Sequence, residues 1–203
     1  MKLSIFVLTS TSVVGNLFGG DLIADYQGAK IILHDDKTWE YEQIRPADLD
    51  DQMVLVKSAS QSESLTSPTK KYVINYNPSL WERSKPFSEA AEFGFQNKAK
   101  NAFGMAIYDG IEVPLNSMEN IVIKNANNID PNAKIVNIRK CKINGTEGEL
   151  VTYLATGSGV PFTLLTFLAS GPFGTIQYTF FTSSSLFDAL QEDFVEMISG
   201  LEF

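Results

Sequence analysis

The sequence predicts an α+β protein: an antiparallel β-sheet covered by helices on both faces, with a small N-terminal β-hairpin module ahead of it. Three observations carry that expectation. Residues 132–203 read as an unbroken β-meander closed by one amphipathic helix, with candidate strands at 134–143, 149–155, 162–169 and 175–181. Asn144-Gly145, Gly157-Ser158-Gly159 and Gly171-Pro172 separate them, and these residues tolerate the tight turns of hairpins. The second and third strands are apolar at odd and even positions alike (Leu150, Val151, Tyr153, Leu154; then Phe162, Leu164, Leu165, Phe167, Leu168). Antiparallel strands with two apolar faces need cover on both sides.

From the N-terminus, residues 1–20 read as a secretory signal peptide. Lys2 supplies the positive start, residues 3–18 carry no charge, and Asp21 opens a polar chain. Cleavage is expected between Gly15 and Asp25. The apolar run is short and diluted by Ser and Thr, a poor membrane span. A retained N-terminal strand is the alternative, since Ile5, Val7, Val13 and Val14 favour β structure. Residues 21–44 form the hairpin module: Lys30-Ile31-Ile32-Leu33, a turn at Asp35-Asp36-Lys37, then Thr38-Trp39-Glu40-Tyr41. Period-2 alternation puts Trp39 and Tyr41 on one face. Residues 45–71 have the composition of a mobile connector, with Asp48, Asp50 and Asp51 followed by five serines and only a short apolar patch at 53–56.

Residues 72–203 form the main domain. It opens with an alternating strand at 72–76, followed by Asn77-Pro78-Ser79-Leu80-Trp81. A hairpin then pairs 91–97 with 103–109 across Lys98-Ala99-Lys100-Asn101. Ser117 is placed to cap a helix whose apolar stripe is Met118, Ile121, Val122, Ala126 and Ile129. After the meander, Ser185 and Asp188 suggest a capping box for a last helix with Leu186, Leu190, Phe194, Met197 and Leu201 along one side.

The chain has 203 residues, is 44% hydrophobic and carries a formal charge of -8. That acidic balance argues against sequence-independent nucleic-acid binding, which needs a Lys/Arg surface. Cys141 is the only cysteine, so there is no intrachain disulfide and no lipid-bearing cysteine; in a β-patterned run it reads as a buried, inert thiol.

The order of elements in 72–203 resembles the Mog1/PsbP-like α/β/α sandwich. The likeness rests on the opening Tyr72-Val73-Ile74-Asn75-Tyr76-Asn77-Pro78-Ser79-Leu80-Trp81, the turn Ile143-Asn144-Gly145-Thr146-Glu147-Gly148, similar to a recurrent "ING..G" hairpin, and the closing Ile198-Ser199-Gly200-Leu201. The resemblance implies an adaptor or binding protein, since such proteins dominate that family. Separately, 31–41 looks like an "L.DDGTW.Y" hairpin of exported bacterial proteins, with Lys37 where that pattern has Gly.

The search for chemistry is short. His34 is the only histidine; beside Asp35 and Asp36 at a hairpin tip, it reads as part of a solvated turn rather than a metal or acid–base site. A Ser-His-Asp triad would need that same His34, and no Gly-x-Ser-x-Gly elbow points to a serine. Asp48, Asp50 and Asp51 lack the Gly and Glu of an EF-hand loop. Asn144-Gly145-Thr146 matches a glycosylation sequon, for which the hairpin is sufficient explanation. Neither catalytic residues nor a cofactor nor a metal site is expected.

Aromatic side chains remain, with Trp39, Tyr41, Trp81 and Phe173 as candidate partner-binding anchors. The expected function is that of an exported, non-catalytic accessory protein, periplasmic or secreted, that docks to an envelope protein or complex of unknown identity. No nucleic-acid partner and no stable membrane span are expected. Two alternatives stand beside it: a cytosolic adaptor that keeps its N-terminus, and a hydrolase working through paired carboxylates.

Overall fold

A computed structural model describes residues 52–203 throughout and, ahead of them, the backbone of 13–14, 22–26, 29–33 and 39–41. The chain divides into two compact units, Met1–Arg45 and Pro46–Phe203. In the first, β1 (Val13–Val14), β2 (Leu22–Tyr26), β3 (Ala29–Leu33) and β4 (Trp39–Tyr41) form a four-stranded sheet in chain order. β3 and β4 pair antiparallel with Ile31 opposite Tyr41 and Leu33 opposite Trp39. His34, Asp35, Asp36, Asp48, Asp50 and Asp51, and the side chains of Trp39 and Tyr41, lie outside the described residues.

The second unit contains β5 (Met53–Leu55), β6 (Glu63–Thr66), β7 (Val73–Tyr76), β8 (Trp81–Ser84), β9 (Ala91–Asn97), β10 (Ala102–Asp109) and α1 (Leu115–Asn127). The meander follows as β11 (Lys134–Ile143), β12 (Thr146–Gly157), β13 (Val160–Gly171) and β14 (Gly174–Ser183). A 3-10 turn (Ser184–Leu186), α2 (Phe187–Ser199) and β15 (Leu201–Glu202) end the chain. Eight strands form one sheet in the order β5-β11-β12-β13-β14-β10-β9-β8, and β15-β7-β6 form a second.

The expected architecture is corrected by this arrangement. The large sheet is mixed, because β5 joins β11 in parallel. The unit is mostly β, with two α-helices among the described residues, and these do not cover the sheet on both faces. On one face Leu150, Leu165, Phe167, Tyr178 and Phe180 pack against Phe194, Met197 and Ile198 of α2 and against Tyr72, Ile74 and Tyr76, so the small sheet supplies much of the cover. On the other face Val151, Tyr153 and Leu168 pack under Met118, Val122 and Ala126 of α1. α1 reaches β12 and β13, leaving the β8–β10 side of that face without a helix. The two-faced apolar pattern demanded cover, and strands meet part of that demand as readily as helices do.

Four local expectations also change. α1 begins at Pro114, whose carbonyl accepts the N–H of Ser117 and Met118, so Ser117 lies inside the helix. Its buried stripe is the narrower Met118, Val122, Ala126, while Ile121 and Ile129 face solvent. Ser185 does not cap α2: its hydroxyl meets the Ser183 hydroxyl, and the intervening 3-10 turn brings Phe187 into the core in place of Leu186. Residues 53–66, expected within the connector, contribute β5 and β6, and Gln61 is buried there among hydrogen bonds. A serine-rich composition describes solvated chain on average, but edge pairing needs only backbone groups.

Candidate functional site

The uncovered half of the α1 face carries an aromatic cluster. Directly opposed residues of paired strands point to the same side. Leu164 of β13, partly buried against the α1 cluster, opposes Phe181 of β14, and Phe181 opposes Phe103 of β10. Phe103 and Phe181 therefore share the side on which α1 sits, beyond its reach. Their rings lie 5.6 Å apart, and Phe162 of β13 adds a T-shaped contact to Phe181 at 6.1 Å.

Phe87 lies across this pair, edge-on to Phe103 at 5.1 Å and to Phe181 at 5.3 Å. It reaches them because the chain after β8 folds back over β9 at Gly94, where a Cβ would sit 2.6 Å from the Pro86 nitrogen. Phe87 is 62% exposed, and Phe103, Phe162 and Phe181 are half-buried. Geometry of this kind is ordinary in a core, where such ring pairs add about 0.5–1.5 kcal/mol. Here it stands at the surface of a sheet.

Two of the four aromatic anchors expected from the sequence, Trp81 and Phe173, lie outside this cluster. Trp81 is 2% exposed, edge-on to Phe180 at 5.2 Å, and is part of the core. Phe173 is half-buried and packs on Phe203 at 4.1 Å, while its carbonyl accepts the Tyr108 hydroxyl. Trp39 and Tyr41 belong to β4, their side chains outside the described residues. The sequence groups Phe87, Phe103, Phe162 and Phe181 with the other aromatic residues of 72–203, most of them expected in the core, and does not single them out as anchors. The available signal was the shortage of helices: two amphipathic stripes cannot roof both faces of an eight-stranded sheet.

On the opposite face a cavity of ≈ 50 Å³ opens between α2 and strands β5 and β11–β13, with a floor of Met53, Leu150, Leu165 and Val195. No Asp or Glu among the described residues lines it. One carboxyl pair does form, between Glu119 of α1 and Glu149 of β12. Glu149 is pushed up to about 7, first by burial, then by its hydrogen bond with Glu119 and the Glu119 charge, with Lys140 pulling the other way. Its Oε2 is buried with no hydrogen-bond partner among the described residues. Carboxyls that flank a scissile bond in a two-carboxylate hydrolase stand about 5–9.5 Å apart with substrate or water between them. Glu119 and Glu149 are in direct contact at the junction of α1 with the sheet, and neither lines the cavity.

Cys141 is fully buried and its thiol is pushed up to about 12, by burial first and by the Glu149 charge second, which suits packing and not nucleophilic attack. At Asn144, exposed in its hairpin, the side-chain amide donates to the carbonyls of Ser199 and Leu201 at 2.8 and 2.7 Å. Both amide hydrogens are engaged, so a glycan cannot be added to that nitrogen without breaking the contact with the end of α2. Among the described residues no three His, Cys, Asp or Glu side chains gather to hold a metal ion. No helix among them is long and apolar enough to cross a membrane.

No protein family matches the chain, and no curated protein does. Among solved structures it is similar to the solution structure of cyanobacterial PsbP (CyanoP) from Synechocystis sp. PCC 6803, with a TM-score of 0.55 at 14% identity over 71% of this chain and 94% of that one. A crystal structure from Bacteroides thetaiotaomicron VPI-5482 gives 0.44 at 19% identity over 70% of this chain and 48% of that one. A protein of unknown function from Pseudomonas aeruginosa gives 0.42 at 12% identity over 89% and 95%. The first of these likenesses shows that the chain has a PsbP-like fold. At such identity it shows nothing of function.

Proposed function

We propose that this is a non-catalytic accessory protein that is exported to the bacterial envelope and docks there to a protein partner. The observation that carries the reading is the surface aromatic cluster: Phe87 exposed, backed by Phe103, Phe162 and Phe181, on the part of a sheet face that neither described helix covers. Aromatic side chains held rigidly and open to solvent are the usual anchors of protein interfaces. The PsbP-like fold lends support by analogy, as does the uncharged stretch that follows Lys2. The acidic surface would select among partners by charge.

A photo-crosslinking residue in place of Phe87, in the full chain expressed in its native cells, tests the docking. A specific adduct, lost when Phe103 is changed to Ser, is the expected result; absence of any specific adduct would sink the proposal. Intact mass of the native protein from fractionated cells tests export, which requires loss of the residues ahead of a site between Gly15 and Asp25. A second reading, a cytosolic adaptor with its N-terminus retained, draws support from the pairing of Val13–Val14 with Ile23 and Ala24. An intact N-terminus in the cytosol would favour it.

A further inference from the structure

The cavity between α2 and the sheet lies on the face opposite the aromatic cluster, so what it binds stands or falls apart from the docking reading. Four polar side chains converge on it from three elements: Asn137 and Arg139 from β11, Thr152 from β12 and Gln191 from α2. Register explains the convergence on the sheet side, because Asn137 opposes Thr152 and Arg139 opposes Leu150, which places all four on the α2 face. Among the described residues of the lining Arg139 is the only charged one, in a chain of net charge -8. Asn137, Arg139, Thr152 and Gln191 are all at least partly open to solvent.

We infer that this cavity binds a carboxylate group carried on a short apolar stem. The planar guanidinium matches a carboxylate with two parallel N–H donors, a fit that neither an amide nor an alcohol reproduces. The Thr152 hydroxyl and the Asn137 and Gln191 amides supply further donors around it. Leu150 and Leu165 in the floor accept the first carbons of the stem. The volume of ≈ 50 Å³ is room for a small group. The carboxylate can come from a free small acid or from the C-terminus of a polypeptide.

The test is an NMR titration of the full ¹⁵N-labelled chain with sodium propionate and with N-acetylalanine, each beside its amide. Saturable shifts at the amides of Asn137, Arg139, Thr152 and Gln191 are expected for both acids. The amides should bind at least tenfold more weakly, and Arg139→Gln, a change at an exposed residue, should cost a similar factor for the acids. Tighter binding of N-acetylalanine points to a polypeptide terminus, and equal binding to a free acid; both support the site. Equal shifts from acid and amide, shifts that never saturate, or full affinity in Arg139→Gln would overturn it.

Discussion

Tyr178 is the most telling single residue of the core. Its ring packs against Phe95 and Phe180, and its hydroxyl is buried with no hydrogen-bond partner among the described residues. Burial drives its ionisation far above the usual range, so it stays a neutral phenol. An unpaired buried hydroxyl costs about 1–3 kcal/mol. Tyr178→Phe is therefore expected to stabilise the protein by about 1 kcal/mol, read as a higher urea midpoint with an unchanged slope. Phe194 is the opposite case. It is fully buried between Trp81, Phe180 and Phe187, and Phe194→Ala should cost about 3–5 kcal/mol by the same measurement. The sequence marked Phe194 correctly from its stripe, and it marked Cys141 as buried. It could not mark Tyr178, because nothing local says whether a hydroxyl will find a partner.

At the scale of elements, the end of α2 shows how a turn and a helix depend on each other. Asn144 adopts φ 46° in the β11–β12 hairpin, a conformation Asn tolerates better than most residues. That turn carries its amide to the carbonyls of Ser199 and Leu201, where α2 passes into β15, while its oxygen accepts the Lys57 N–H. The join is close-packed: a Cβ at Gly200 would fall 1.9 Å from the Asn75 carbonyl oxygen. Asn144→Asp keeps size and turn preference but sets a carboxylate oxygen against two carbonyls. It is expected to cost about 2 kcal/mol in urea denaturation and to raise amide exchange in β15. The Asn-Gly turn was legible in the sequence, but its second role was not, since its partners lie 55 and 57 residues away.

For the molecule as a whole, three carboxyl groups set the pH range of greatest stability. Glu149 titrates near 7 in the folded chain, above the unfolded carboxyl value of about 4.3. Its contribution is present in full below that unfolded value and is lost as pH rises through about 7, when it ionises against Glu119 despite Lys140. Asp193 shifts the same way, through burial and then the charges of Glu196 and Glu192. Asp130 is the reverse: backbone N–H groups of Asn132 and Thr156 hold its carboxyl below the usual range. Its contribution is present above about 3.9 and is lost as pH falls through the depressed value. Urea midpoints should therefore peak near about pH 4–5 and decline toward about pH 8. In Glu149→Gln, which has no titrating carboxyl at this position, most of the decline above about pH 6 should vanish; an unchanged decline would refute this account.

What the sequence determined by itself is the local register of the chain. The meander, its Asn-Gly and Ser-Gly turns, the 91–109 hairpin and two amphipathic helices follow from alternation, spacing and turn chemistry, all local properties. The resemblance in 72–203 likewise pointed to the PsbP-like fold that the structural comparison supports. Tertiary structure decided how the faces are covered. The sequence requires that Leu150 and Val151 both be buried, but whether a helix, a strand or nothing lies over each stretch depends on contacts between distant segments. That choice placed β6 and β7 beside α2, hid Trp81, and left Phe87, Phe103, Phe162 and Phe181 at the surface. Composition could name the aromatic residues; only the packed arrangement could separate the core from the candidate interface.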